Sequence, residues 1–106
     1  MRYAPHASWI TFDTADAEIF IVPTAGGRPR KLVSGIAHVW EPSGKHLYYC
    51  VREPGGGTRL QSMGIDERTG NITDQPQTIG LMTGILHDLS ISRSGQELAL
   101  TTSSDS

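Results

Sequence analysis

At 106 residues, with nine Lys/Arg against eleven Asp/Glu and a net charge of −2, the chain suits one domain and lacks the basic footprint that nucleic acid or anionic lipid requires. Its single cysteine, Cys50, excludes an internal disulfide and cannot form a structural zinc site without unusual help from the four histidines. No run approaches the roughly 18 apolar residues of a membrane span, and "RYAPHASWITF" after Met1 lacks the apolar core of a signal peptide, so the expectation is a soluble chain, cytoplasmic or periplasmic, with no membrane and no nucleic-acid partner.

The first expected strand is "SWITFDT", 8–14, where β-branched and aromatic residues crowd together. "AEIFIVPT", 17–24, follows; its apolar run is too short for a helix and stops at Pro23, so the two make a hairpin. "AGG", 25–27, supplies a turn, and the more polar "RPRKLV", 28–33, suits an edge because Pro29 cannot donate to a ladder. The pattern then restarts: "IAHVWEP", 36–42, turn "SGK", "HLYYCVRE", 46–53, loop "PGGG", and the weakly alternating "TRLQSMGID", 58–66. After the turn "ERTGN" comes "ITDQPQTIG", again edge-like with its proline. A third restart reads "ILHDLSIS", 85–92, turn "RSGQ", and "ELALTTS", 97–103. No segment has a helical period with caps, and the chain reads as all-β.

The restarts are in register. Setting "YAPHASWITF" on "WEPSGKHLYY" places Tyr3 on Trp40, Pro5 on Pro42, Ala7 on Gly44, Ile10 on Leu47 and Phe12 on Tyr49, at a constant offset of 37 positions. Setting "WEPSGKHLYY" on "ISRSGQELAL" places Trp40 on Ile91, Ser43 on Ser94, Gly44 on Gly95, Leu47 on Leu98 and Tyr49 on Leu100, at an offset of 51. The excess falls in the glycine-rich and polar loops "EPGGG" and "DERTGNITDQ". Periods of about 40–50 residues with four short strands each are the signature of propeller blades.

The residues that carry the repeat, "WEPSGKHLYY" and "ISRSGQELAL", resemble the "aromatic, Ser, Pro, Asp, Gly, Lys, x, apolar, Ala, Phe" hairpin of TolB-type, WD-like β-propeller repeats, and "AEIFIVPTAGGRPRKLV" is similar to that family's third strand, Gly-Gly turn and fourth strand. Glu41 stands where the family carries Ser, Ser43 and Ser94 where it carries Asp, and Arg93 where it carries Pro. The stretch "GIDERTGN" behind the middle unit also resembles the longer blades of lactonase-like propellers. The resemblance implies antiparallel four-stranded blades forming a sector of a β-propeller, an incomplete ring of about two and a quarter blades: a partial blade at 1–35, a full blade at 36–80 and a partial blade at 81–106.

No set of residues signals a reaction. His38, Trp40, His87 and Asp88 are the candidates for channel-facing or ligand-surface residues, since His38 and His87 both precede an inner strand and could line a central channel. As metal ligands the two histidines lack a third partner other than Asp88, so neither a metal nor a cofactor is expected. Cys50 lies in the most apolar strand without a local base, as a buried structural thiol does. Ser43-Gly44 and Ser94-Gly95 occur without Gly-x-Ser-x-Gly and read as turns, and "PGGGT" has no following helix or Lys-Ser/Thr to cradle a phosphate.

Two function classes follow. The first is a non-catalytic propeller segment, part of a longer bacterial protein, that binds a protein, a peptide or another domain of its own chain. The second is a sector of an enzyme, either lactonase-like or the gating propeller of a prolyl-oligopeptidase-type serine peptidase. A sector whose end faces carry Trp9, Ile10, Phe12, Leu98 and Leu100 is also expected to associate with copies of itself through its blade edges.

Overall fold

The computed structural model describes residues 1–6, 8–83, 85–94 and 97–103, with side chains for all of these except 85–88 and 101–103. Ten strands and no helix are found among them, arranged as three antiparallel sheets. The first sheet holds β1 (Arg2–Tyr3), β2 (Trp9–Asp13), β3 (Glu18–Pro23) and β4 (Arg30–Ser34) in that order. The middle sheet holds β5 (Ile36–Trp40), β6 (His46–Arg52), β7 (Thr58–Asp66) and β8 (Asn71–Met82), and β9 (Ile85–Ile91) pairs with β10 (Leu98–Ser103) in the third. Neighbours in the sheet are neighbours in the chain throughout, and the assembly measures 45 × 30 × 22 Å. These are meander blades stacked face to face, a sector of a β-propeller with no closed barrel.

The first sheet has a fourth strand that hydrophobic pattern does not reveal: Arg2 and Tyr3 pair with Thr11 and Ile10, and a two-residue strand is too short to have a period. At the other end of the middle sheet, β8 continues to Met82, held by pairing of Thr58 with Met82 and Arg59 with Leu81.

Period-two alternation along β6 builds two cores from one strand. Leu47 and Tyr49 point toward the first sheet, where they join Ile19, Ile21, Leu32, Trp40, Met63 and Ile65 in one buried cluster. Cys50 points the opposite way and meets Val39, Leu60 and Leu89 in a second cluster, against which Tyr48, Ile91, Leu98 and Leu100 pack. The middle sheet is therefore covered on both faces. Leu98 and Leu100 were expected on a bare outer face; they pack inward, because their positions in β10 oppose Ile91 and Leu89 on the side facing the middle blade. Trp9 likewise packs against the first cluster, while Ile10 and Phe12 sit on the outer face of the first sheet, where Phe12 stacks on Phe20 with ring centres 5.7 Å apart.

Two local features aim the side chains that follow. Between Ile36 and Val39 strand β5 contains one residue more than its partner, and Ala37 takes up the strain at φ 52°. Such a bulge bends the strand and redirects the next side chain, here His38. Between the first two blades, Gly35 lies flat on the Tyr49 ring; a Cβ there would come 2.5 Å from a ring carbon, so only glycine lets the blades close.

Candidate functional site

Two polar assemblies lie where the blades meet. The first is buried. Trp40 Nε1 donates to Thr11 Oγ1 at 2.9 Å, and His38 Nε2 lies 2.8 Å from the same oxygen. The indole can only donate, so the Thr11 hydroxyl proton is left for His38 Nε2 or, at the longer distance of 3.4 Å, the Arg2 carbonyl. The other ring nitrogen of His38, Nδ1, lies 3.6 Å from Asp13 Oδ1. Burial pushes His38 down to about 4, against the pull of the Asp13 carboxylate, so the ring is neutral at pH 7.

Asp13, His38 and Thr11 stand in the order of acid, base and hydroxyl nucleophile. Thr11, however, has no exposed surface and already accepts from Trp40, so no substrate can reach it. The arrangement ties the first blade to the second. His38 and Trp40, read from sequence as channel-facing, thus turn their ring nitrogens into this joint, at 2% and 6% exposure. The side chains of His87 and Asp88 lie outside the described residues.

The second assembly is open to solvent. A groove of about 460 Å³ runs between the β1–β2 turn of the first blade and the β5–β6 and β7–β8 turns of the second, lined among others by His6, Ser43, Lys45, Glu67, Arg68 and Asp74. Turn chemistry makes it. Arg68 N donates to Asp66 Oδ1 at 2.9 Å and Gly70 N to the Asp66 carbonyl at 2.7 Å, closing the turn that carries Glu67. Gly44, at φ 79°, lets the 41–46 hairpin turn tightly under Glu67, where a Cβ would collide with that carboxylate.

Glu67 is the pivot. Its Oε2 accepts from the His6 backbone amide at 2.8 Å, and its two oxygens lie 2.8 and 2.9 Å from His6 Nδ1. The carboxylate is 11% exposed and the imidazole 75%, so the ring is oriented from behind while Nε2 is free of the Glu67 contact. Arg30 clamps the same turn from the first blade, donating from Nη2 to the Gly70 carbonyl at 2.6 Å while its guanidinium lies 5.9 Å from the Trp9 ring centre. Lys45 makes no ion pair among the described residues.

Beside the groove, Glu41 gathers the polar ends of its own hairpin. It accepts from Ser43 Oγ in a short hydrogen bond, from Tyr48 OH at 3.0 Å, and stands 3.4 Å from His46 Nδ1. Burial pushes Glu41 up, but the bonds from Ser43, Tyr48 and His46 outweigh it and hold the carboxyl below its usual range. Ser43 and Glu41 thus satisfy each other within the hairpin. Cys50 is buried and its thiol is pushed up to about 11, which removes it as a nucleophile at neutral pH.

The sequence reading missed His6 and Glu67, which are 61 positions apart, and Thr11, which reads as an ordinary strand residue. Among the described residues no three His, Cys, Asp or Glu side chains come together as a metal cluster, and no helix is long and apolar enough to cross a membrane.

No protein-family model and no curated protein sequence matches the chain. Solved structures do. The chain is similar to a "putative 6-phosphogluconolactonase" from Bacteroides uniformis, with a TM-score of 0.67, 14% identity, and coverage of 93% of this chain and 31% of that one. A "putative 6-phosphogluconolactonase" from Bacteroides fragilis gives a TM-score of 0.65 and 15% identity over 93% of this chain and 30% of that one. The chain thus spans under a third of each neighbour's length, and at this identity the likeness is one of fold: a propeller-type sheet arrangement.

Proposed function

We propose that the chain is a non-catalytic binding segment of a β-propeller, with repeats of TolB type, that presents its turn groove to a protein or peptide. The observation that carries this is that the groove is shared by two blades and locked by the bond between His6 and Glu67. It offers a rigid surface with both charge signs, Lys45 and Arg68 beside Asp66 and Asp74, as suits an extended peptide of mixed charge. Peptides selected from a random library for binding to the whole chain should shift the amide resonances of residues 43–46 and 66–68. Lys45→Glu combined with Arg68→Glu should weaken them about tenfold or more. Selected peptides that perturb other surfaces and ignore the double variant would overturn the proposal.

A second reading is favoured by the structural neighbours and by the His6–Glu67 pair: a sector of a lactonase-like enzyme. A carboxylate-oriented imidazole is suited to taking a proton from water as that water attacks a lactone carbonyl, with the ring C–O bond breaking and the alkoxide taking up a proton. Acid release from glucono-δ-lactone at constant pH tests it. Hydrolysis above background that His6→Gln abolishes would replace the binding reading, whereas equal rates for the two proteins would eliminate the enzymatic one.

A further inference from the structure

The outer face of the first sheet carries an apolar patch that no other sheet covers among the described residues. Residues directly opposite each other on antiparallel neighbours share a face. Tyr3 pairs with Ile10, Ile10 with Val22 and Phe12 with Phe20, so these five side chains form one patch across β1, β2 and β3. The two phenyl rings stack within it, and Tyr3 at its border is 60% exposed. The charge at the opposite border is already neutralised, because Lys31 Nζ lies 2.9 Å from Glu18 Oε2.

The sequence repeat shows what kind of surface this face receives. At the offset of 37 positions, Tyr3, Ile10 and Phe12 correspond to Trp40, Leu47 and Tyr49. On the middle blade those three are 6%, 0% and 1% exposed, because the inner face of the first sheet, with Ile19, Ile21 and Leu32, lies against them. Leu98 and Leu100, the counterparts in β10, pack in the same sense on the middle sheet. The same face of each blade thus receives another sheet, and in the first blade it is open. A second copy of the chain brings two sheet faces that could cover it. The back of its third sheet presents Ser90 and Ala99, which are exposed and paired with each other. Its own first sheet presents two phenyl rings with Ile10 and Val22, so burial of apolar surface favours patch against patch. Related by a twofold axis, that contact is self-complementary and closes at two chains.

We propose that the chain forms a twofold dimer through the outer faces of its first sheets, with Tyr3, Ile10, Phe12, Phe20 and Val22 of one copy packed on the same residues of the other. A face of four strands about 4.8 Å apart, each of about five residues at about 3.3 Å, covers roughly 300 Å² per copy. A standard interface takes about 800 Å² per partner, so this dimer is weak and fills at high chain concentration. The residues that line the groove at His6 lie outside the patch, and the dimer does not depend on which reading of that groove holds.

Sedimentation equilibrium of the full chain between about 10 μM and about 1 mM tests the proposal. The average mass should rise from one chain toward two and go no higher. In a mixture of isotope-labelled and unlabelled chains, the rings of Phe12 and Phe20 should show nuclear Overhauser contacts to Tyr3, Ile10 or Val22 of the other copy. Tyr3→Lys, at a side chain the fold leaves exposed, should weaken dimerisation about tenfold or more, and Phe12→Lys should do the same. Leu81→Lys, an equal change at an exposed leucine of β8, should leave it unaltered. A single-chain mass at the highest concentration, a mass that grows past two chains, intermolecular contacts from the first sheet to Ser90 or Ala99, Tyr3→Lys associating as the parent does, or Leu81→Lys weakening association equally would each overturn the proposal.

Discussion

His38 stays neutral because its ring is enclosed between two blades, where taking up a proton means charging a group that water cannot reach. In the unfolded chain the same ring titrates at about 6.5. As pH falls below that value the unfolded state takes up the proton first, so this residue's stabilisation is fully present above about pH 6.5 and is lost progressively down to about 4. The loss amounts to about 3 kcal/mol at pH 4. Urea unfolding of the parent and of His38→Gln at pH 7 and pH 4.5 checks this: the parent should lose about 2–3 kcal/mol more than the variant over that interval. Equal losses would show that the His38 joint does not sense the proton. At this scale the sequence marked His38 as a residue preceding an inner strand and facing a channel, whereas its ring is buried between blades. Its partner Thr11 was illegible, because a threonine in "SWITF" looks like any β-branched strand residue until a second sheet is laid against it.

At the scale of the element, β6 is the best-determined strand, and its alternation was readable because "HLYYCVR" is apolar on both parities, as a strand buried on two faces must be. Truncating Leu47, which has no exposed surface, should remove its transfer energy and leave a cavity, at a cost of about 2–5 kcal/mol. Leu81 in β8 is 72% exposed, and Leu81→Ala should change stability by under about 0.5 kcal/mol. Chemical denaturation of the two variants decides whether burial is distributed as described; comparable losses would contradict it. The edges were less legible. Strand β8 runs for 12 residues through three register irregularities, so its side chains do not keep a simple period, and the ladder with β7 rather than its own sequence sets its length. The bulge at Ala37 was likewise silent in sequence, since alanine gives no sign of a positive φ.

Across the whole molecule, the middle sheet is flanked on both faces while the outer face of the first sheet carries half-exposed Ile10, Phe12, Phe20 and Val22. Opening should therefore begin at the ends of the sector. Hydrogen exchange should be slowest for the amides shared by β6 and β7 and at least about tenfold faster in β1 and β10. Uniform exchange across the three sheets would instead mark the sector as a single cooperative unit. Sequence by itself determined the all-β class, the hairpins from "SWITF" to "ELALTT" and the in-register repeat, because alternation, turn residues and periodicity are local properties of a chain. Only the tertiary structure decided which faces are covered, that Leu98 and Leu100 turn inward, that His38 and Trp40 share the hydroxyl of Thr11, and that His6 meets Glu67 across two blades. Those outcomes depend on how twisted sheets stack, and stacking brings together residues whose separation in the chain carries no signal of their proximity in space.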